Sequence, residues 1–251
     1  MGVWQKGLQR RAKRALERQL DYQTHKSKRF KGHEAEAVAY MTRRAHEART
    51  RLEAVEPIAD DARILEVGCG SMGLIFYFGA PDGVGVDPLA DHYRQLFPAW
   101  YSRARTVAAS GESLPFDPAS FDIVLCDNVV DHAEDPRRIV EEICRVLKPG
   151  GLLYFTVNVH HPFYHYAATL HAGWRALGLP FEIRPFADHT VHLTLPAARA
   201  LFAGLPLRAI EETSDVAELK RQLRRTKGPA VWLKRLFFKN GLYELIARRE
   251  A

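Results

Sequence analysis

Five short apolar runs recur between residues 62 and 159, and more polar segments separate them. The runs are Ala62–Gly70, Gly83–Asp87, Ala104–Ser110, Phe121–Asn128 and Gly151–Val159. Runs of this length with few polar residues are typical of strands that a parallel sheet buries on both faces. The pattern therefore predicts five strands at these positions.

Helical spacing of apolar residues marks the segments around these strands. Asp135–Leu147 carries one apolar stripe, and the Lys-Pro-Gly-Gly sequence that follows is expected to end this helix. Strands that alternate with helices predict an α/β fold whose parallel sheet is covered on both faces. The remaining predicted elements are helices over 5–20, 33–55 and 195–205 and strands over 206–213 and 241–249.

The composition is that of an ordinary soluble protein: of 251 residues, 47% are apolar and 26% are charged. No run of about 18 apolar residues occurs, so no membrane-spanning helix is expected. The basic N-terminal region lacks the apolar core of a secretory signal. Cys69, Cys126 and Cys144 are too scattered for a disulfide framework or a Cys-x-x-Cys site, which favours a reducing, cytoplasmic location.

Charge is segregated along the chain. The net charge of +6 divides into +8 for residues 1–33, −10 for 34–218 and +8 for 219–251. Basic ends can meet nucleic acid, an anionic membrane surface or the acidic middle of the same protein. Residues 220–249 also mix Lys and Arg with large apolar side chains, which predicts a peripheral membrane contact; a packed helix with solvated basic residues is the alternative.

A glycine-rich turn follows the first predicted strand. Gly68, Gly70 and Gly73 form a Gly-x-Gly-x-x-Gly pattern two residues after Glu66. Glycines at the end of a parallel strand let the backbone approach a ligand where a Cβ would collide. Asp87 ends the second strand about 20 residues further on, where a carboxylate can accept hydrogen bonds from a ribose diol. These features predict a nucleotide-like ligand and would also fit NAD.

Four stretches together resemble the class I S-adenosylmethionine-dependent methyltransferases, in particular the small-molecule group related to ubiquinone and sugar methyltransferases. They are Ile64–Gly70, Val84–Pro88, Gly111–Pro136 and Arg145–Val157, in that family's order and spacing. The resemblance covers under half of the chain. It implies a Rossmann-like, seven-stranded, mostly parallel sheet with helices on both faces. It also implies S-adenosylmethionine as cofactor and S-adenosylhomocysteine as product.

The rest of the chain is expected to add to that fold. Residues 1–56 are predicted as a basic N-terminal helical cap and 57–251 as the methyltransferase domain, with its core at 62–158. A His- and aromatic-rich insertion is expected at 160–194 and a basic amphipathic insertion at 214–239. The cap and insertions would build the acceptor pocket. The aromatic content of the first insertion suits a sugar ring, a quinone or an aromatic compound, although a second small core would also explain it.

The resemblance also implies roles for individual residues. Glu66 would support the glycine turn and the methionine end of the cofactor, while Gly68 and Gly70 would pass beneath it. Asp87 would hold the ribose hydroxyls, and Gly111 would offer its N–H to the adenine ring. The predicted cofactor-binding set is Glu66, Gly68, Cys69, Gly70, Gly73, Asp87, Pro88, Ser110, Gly111, Glu112, Asp127 and Asn128.

Two positions depart from the family pattern. Ser110 stands where the family often has an Asp facing the adenine amino group, and a hydroxyl accepts only weakly from an amine. Gly73 lies one place later than in the commoner Gly-x-Gly-x-Gly form. Asp127 and Asn128, in contrast, end the fourth strand as the family would have it, beside the methionine part and the transferred methyl group.

Histidines near the ends of the fourth and fifth strands are the candidates for a general base. Methyl transfer to a hydroxyl requires removal of the acceptor's proton, for which a histidine is suited near neutral pH. His132 is the first candidate, with Asp131 to orient it or to act itself. His160 and His161 are rivals, because ligands bind at this edge of such sheets. His132 could instead cap the following helix or pack a loop.

Other functions remain open from the sequence. His-His-Pro-Phe-Tyr-His at 160–165 invites a metal, but no matched carboxylate or Cys set stands at ligand spacing, so no metal is predicted. RNA methylation is an alternative, although Asp127-Asn128-Val129-Val130 stands where base-modifying enzymes have an Asn-Pro-Pro-Tyr type motif. A non-catalytic scaffold or sensor of the same fold and an NAD-dependent oxidoreductase are the others.

Overall fold

The computed structural model describes residues 33–167, 191–225 and 240–251, together with Glu17, Leu20, Asp21, Gln23, Thr24, His25 and Ser27. The strands in these ranges are β1 (Ile64–Val67), β2 (Val84–Val86), β3 (Arg105–Val107), β4 (Phe121–Asp127), β5 (Leu147–Val159), β6 (Leu207–Ser214) and β7 (Gly241–Arg249). The helices there are α1 (Glu34–Glu53), α2 (Ala90–Leu96), α3 (Pro98–Tyr101), α4 (Pro136–Val146), α5 (Leu195–Ala200) and α6 (Val216–Arg225). Two 3₁₀ helices span Leu74–Phe76 and Val130–His132, and residues 162–167 are also helical.

These strands pair into one sheet in the order β3-β2-β1-β4-β5-β7-β6. β1 to β5 run parallel, while β7 lies antiparallel between β5 and β6. The predicted Rossmann-like, mostly parallel, seven-stranded sheet is therefore confirmed. The direction of strand succession reverses between β1 and β4, which is where open α/β sheets of this kind bind their ligands.

Helices cover both faces of the sheet, as the apolar strands require. On one face, α1, α2, α3 and the first 3₁₀ helix bury side chains such as Leu52 and Tyr93 against β1, β4 and β5. On the other face, α4 and α5 bury Ile143 and Ala198 against the same strands and β7. Each face thus has its own apolar cluster.

Helix α4 begins and ends where the sequence predicts. The Asp135 carboxylate accepts the N–H of Arg138 at 3.1 Å, and Pro136 takes the first helical position, where no N–H is needed. The helix ends at Val146, before Lys-Pro-Gly-Gly. That sequence lies within β5, which starts at Leu147 rather than at the predicted residue 151, because an irregular register lets it pair with the start of β4.

Two other predicted elements, β3 and α5, are shorter in the structure. β3 has three residues in place of the predicted seven, and α5 ends at Ala200 because turns follow it, with Gly204 at φ +73°. Most of the predicted helix over 5–20 and much of the insertion at 160–194 fall outside the described residues.

The membrane contact predicted over 220–249 stays a prediction, and the structure limits which of these residues are at the surface. Residues 241–249 form β7, an inner strand, and Arg249 is held by carbonyl oxygens at the end of α4 and the start of β5. Within the predicted insertion at 214–239, the structure describes α6, and residues 226–239 lie outside its described part. No helix in the described ranges is long and apolar enough to cross a bilayer.

Helix α1 is the longest described part of the predicted cap, and it packs directly on the sheet. Its buried residues recur at helical spacing: Ala37, Met41, Ala45, Ala48 and Leu52. Near the middle of the helix, Arg44 binds Asp127 at the carboxyl end of β4. Just after the end of the helix, Glu56 binds Arg248 of β7, which pairs with Leu152 near the start of β5. The helix therefore runs from the carboxyl edge of the sheet towards the amino edge.

We expect Leu52→Ala to lower the free energy of unfolding by about 2–5 kcal/mol, because it removes a fully buried side chain beneath α1 and leaves a cavity. Chemical denaturation measures the change. Ile210→Ala, at a side chain on β6 that is 36% exposed, is the control and should cost about 1 kcal/mol or less. Equal small losses for both variants would contradict the docking of α1 on the sheet.

Candidate functional site

The glycine turn after β1 adopts backbone angles that suit glycine. Gly68 and Gly70 have φ values of +72° and +50°, in the left-handed region. The N–H groups of Gly68 and Cys69 donate to the Val86 carbonyl at 2.7 and 3.0 Å, which ties the turn to β2. A Cβ on Gly68 would lie 2.4 Å from the Val129 side chain. The turn therefore sits directly against the loop that follows β4.

Glu66 shapes this turn from inside the protein. Its buried carboxylate accepts the N–H groups of Leu74 and Ile75 at 3.0 and 2.9 Å, at the start of the first 3₁₀ helix. Burial raises the pKa of Glu66 to about 8, against these two hydrogen bonds, which lower it. A Cβ on Gly73 would lie 2.4 Å from Glu66 Oε2, so Gly73 makes room for the carboxylate. The contact accounts for the expected support of the turn by Glu66.

Asp87 holds the turn from the neighbouring strand. Its Oδ2 accepts the N–H of Gly70 at 3.0 Å, and its Oδ1 accepts the N–H of Leu89 at 2.8 Å. Burial raises the pKa of this carboxyl group to about 6, although both hydrogen bonds lower it. The Tyr101 hydroxyl donates to the Gly70 carbonyl at 2.5 Å. The two parts of the predicted nucleotide site, the glycines and Asp87 at the end of the second strand, are thus in direct contact.

Two members of the predicted cofactor set direct their side chains elsewhere. The Cys69 thiol is buried over β2, where a Cβ on Gly85 would approach its Sγ to 2.8 Å, so only its main chain faces the turn. One oxygen of Glu112 accepts the N–H groups of Glu134 and Asp135 at 2.7 and 2.8 Å. Glu112 thereby holds the loop in front of α4.

Ser110 and Gly111 lie beyond β3, at the same edge of the sheet. Ser110 Oγ lies 3.2 Å from the second carboxylate oxygen of Glu112. A Cβ on Gly111 would come within 2.8 Å of Val67 in β1, so this glycine lets the loop pass close to the glycine turn. The expected adenine contacts of Ser110 and Gly111 remain predictions.

Asp127 and Asn128 are fixed at the end of β4. Asp127 Oδ1 accepts from Arg44 at 2.7 Å and from the Thr156 hydroxyl at 2.6 Å. Asn128 has φ +57°, and its Oδ1 accepts the main-chain N–H of Asn158 at 3.1 Å and its side-chain amide at 2.6 Å. The carboxyl ends of β4 and β5 are therefore locked together beside the glycine turn.

Sequence reasoning missed two contacts that the N-terminal region makes here. Arg44 on α1 binds Asp127, 83 residues away along the chain. Gln23 is buried and its Oε1 accepts the Ser71 hydroxyl at 2.7 Å, so the N-terminal segment reaches the glycine turn itself. No local pattern singled out either residue, because polar residues on an amphipathic helix are ordinarily solvated.

His132 and Asp131 lie on the 3₁₀ helix after β4. The Asp131 side chain is fully buried, whereas that of His132 is 41% exposed, with Nε2 3.9 Å from Asp131 Oδ1. The Val191 N–H donates to the Asp131 carbonyl at 2.9 Å, and the His160 N–H donates to that of Leu193 at 2.7 Å. Residues 191–193 thereby join the ends of β4 and β5, and the predicted bases share one edge of the sheet.

The rival bases occupy different surroundings from His132. The buried His160 ring packs against Tyr164 at 5.0 Å and against His192 at 5.1 Å, within a small cluster of rings. His161 is half-buried, and burial, with a smaller effect of Lys220, lowers its pKa. The described residues include no group of three or more His, Cys, Asp or Glu that could hold a metal ion.

Comparison with known proteins relates part of this chain to methyltransferases. Residues 65–155 match the model of a methyltransferase domain. An uncharacterized methyltransferase of Mycolicibacterium gilvum is 43% identical over 77 residues, which is 30% of each chain. Thiol S-methyltransferase TMT1B of Rattus norvegicus is 30% identical over 130 residues, 49% of this chain and 53% of that one. The chain thus spans about half or less of these relatives' lengths.

A solved structure of geranyl diphosphate methyltransferase in complex with SAM superposes with a TM-score of 0.58 at 14% identity, covering 87% of this chain and 90% of that one. At that identity the likeness concerns the fold alone. The domain match lies on β1 to β5 and includes the glycine turn, Asp87 and the end of β4. Residues 65–155 are therefore similar to a methyltransferase domain, and the sheet has the fold of the class I S-adenosylmethionine-dependent methyltransferases.

Proposed function

We propose that this protein transfers a methyl group from S-adenosylmethionine to the oxygen of a small-molecule or glycan- or lipid-linked acceptor in the cytoplasm. The observation that carries the proposal is the contact between Asp87 and Gly70, since it sets a buried carboxylate, which would accept hydrogen bonds from a ribose, beside a glycine turn at the switch point of the sheet.

The residues at this edge fit that cofactor. A Cβ on Gly70 would meet no atom closer than 3.9 Å, so the space over the turn is open to a ligand. Asp87 has acceptor capacity for ribose hydroxyls beyond the two N–H groups that it holds. Asp127, with Thr156 and Arg44, would face the methionine end. When bound, the cofactor supplies a methyl group on a sulfonium, ready for displacement.

The protein's own work would be to place the acceptor and to take its proton. His132 suits the second task, because its ring is partly exposed and lies beside the buried Asp131, which can stabilise the protonated imidazole. His160 is less suited, because rings enclose it. His161 is the remaining rival, and the burial that lowers its pKa weakens it as a base.

A thiol acceptor is the second candidate, because the rat relative is named a thiol S-methyltransferase. A thiol has a pKa near 8.5 and ionises appreciably without a base, whereas an aliphatic hydroxyl does not. The two acceptor classes therefore differ in how much they need His132.

We expect His132→Ala to lower kcat for a hydroxyl acceptor by about 10²-fold or more and to leave S-adenosylhomocysteine affinity unchanged. A radiolabelled methyl-transfer assay with hydroxyl compounds found by screening, and with a small alkyl thiol, measures both. His161→Ala is the matched variant and should change kcat little. Normal hydroxyl turnover in His132→Ala would refute the role of His132, and a large loss in His161→Ala would transfer that role to His161.

The affinity for S-adenosylhomocysteine should fall as the pH drops through about 6. Burial raises the pKa of Asp87 to about 6, and only the ionised carboxylate accepts strongly from the ribose, so binding is full above this pH and lost below it. Asp87→Asn should weaken binding by about 10- to 100-fold, as for hydrogen bonds to a charged group, and should flatten the pH dependence.

Thermal-shift titrations between pH 5 and 8 follow this affinity. Asp82→Asn removes an exposed carboxylate before β2 and should bind as the unaltered protein does at every pH. An affinity of the unaltered protein that is constant over this range, or an Asp87→Asn variant with normal affinity, would contradict the ribose role of Asp87.

A further inference from the structure

Exposed aromatic and basic side chains follow the carboxyl ends of β5 and β6 along the chain. We define this rim surface as Phe163 and Tyr166, on the helical residues 162–167, together with Lys220, Arg224 and Arg225 on α6. We propose that the rim surface binds an anionic lipid bilayer and thereby brings the site to an acceptor with a lipid tail. The acceptor class rests on the methyl transfer proposed above, whereas the membrane contact does not.

The two aromatic rings are unusually open for their size. Phe163 is 62% exposed and Tyr166 is 67% exposed, and their i, i+3 spacing sets them on one side of the same helical turn. The other large apolar side chains that are exposed in the described ranges are Tyr40, on α1 one turn before Arg44, and Ile210. Exposed apolar side chains grouped at one end of a protein mark an interaction surface, whereas single ones are ordinary.

The turn that bears these rings is continuous with the candidate site. It directly follows His160 and His161 at the end of β5. Tyr164, between the exposed rings, is buried and stacks on His160 at 5.0 Å. The same turn thus faces solvent on one side and the ring cluster of the site on the other.

Helix α6 supplies the basic part of the rim surface. It starts just after β6, where Asp215 accepts the N–H of Leu242 at 2.6 Å at the start of β7. Leu219 and Leu223 pack towards the core, while Lys220, Arg224 and Arg225 are exposed. Lys220 is near enough to His161 to contribute to lowering its pKa, so α6 neighbours the aromatic turn.

The charge of α6 favours an anionic partner. Lys220, Arg221, Arg224 and Arg225 stand against Glu218 alone, and only Arg221 has an ion pair with it, at 2.7 Å. Basic residues close to an anionic bilayer contribute about 1 kcal/mol each, and aromatic rings favour the bilayer interface. Rings that are 62% and 67% exposed suit the interface of a bilayer, whereas a base-stacking surface also needs a basic groove along the nucleic-acid backbone. A bilayer is therefore the partner that this combination fits best.

The test is co-sedimentation of the full chain with phosphatidylcholine vesicles that contain or lack phosphatidylglycerol. We expect binding to the anionic vesicles only. Lys220→Gln with Arg224→Gln should weaken it by about fivefold for each charge removed. Phe163→Ser with Tyr166→Ser should weaken it by about tenfold or more. S-adenosylhomocysteine binding should be unchanged in every variant, which also verifies that each is folded.

The matched control removes two exposed charges at the opposite, amino edge of the sheet, by Arg105→Gln with Arg208→Gln. An unaltered protein that does not bind anionic vesicles would overturn the proposal, as would a control that weakens binding as much as the α6 variant does. Binding to single-stranded RNA without vesicle binding, lost in the same variants, would overturn it in favour of nucleic acid. A protein that binds vesicles but not S-adenosylhomocysteine would instead refute the proposed function alone.

Discussion

The site depends on one buried carboxylate, that of Asp87. It accepts the N–H of Gly70 at 3.0 Å and so holds the turn after β1 against the end of β2. The turn uses left-handed backbone at Gly68 and Gly70, which glycine adopts without steric cost, and the hydrogen bond to Asp87 selects this conformation among the many open to glycine. Glu66 supports the turn from below, and burial raises the pKa of both acids because their charges are taken out of water.

The cap and the sheet build the site together. Arg44 from α1 and Thr156 from β5 meet on one oxygen of Asp127, and Gln23 meets Ser71 on the glycine turn. Removing one member of a buried network of this kind leaves the others unsatisfied, at a cost of about 1–3 kcal/mol for each group. The position of Asp127 is therefore coupled to the docking of α1, and the cap is part of the site.

The sequence predicts those features of the fold and the site that depend on residues close together along the chain. The apolar runs located the strands, and these strands carry the glycine turn and Asp87, which the sheet brings into contact. The contacts of Arg44 and Gln23 could not be predicted from the sequence, because their partners are distant along the chain and their neighbouring residues are those of an ordinary helix surface. Sequence reasoning ranked His132 over His160 on the family resemblance alone. The packing adds a physical difference, since His132 is 41% exposed whereas the rings of Tyr164 and His192 lie against His160. The early start of β5 was missed for a similar reason, as an irregular register with β4 overrode a Pro-Gly-Gly signal.

The most direct test of the account is a calorimetric titration of the purified protein with S-adenosylhomocysteine, with NAD as the competing ligand. The account predicts binding of S-adenosylhomocysteine in the micromolar range and no binding of NAD, because the glycine turn, Asp87 and Asp127 would form one pocket for a nucleoside joined to an amino acid. Absence of S-adenosylhomocysteine binding to protein free of carried-over ligand, or binding of NAD in its place, would contradict it.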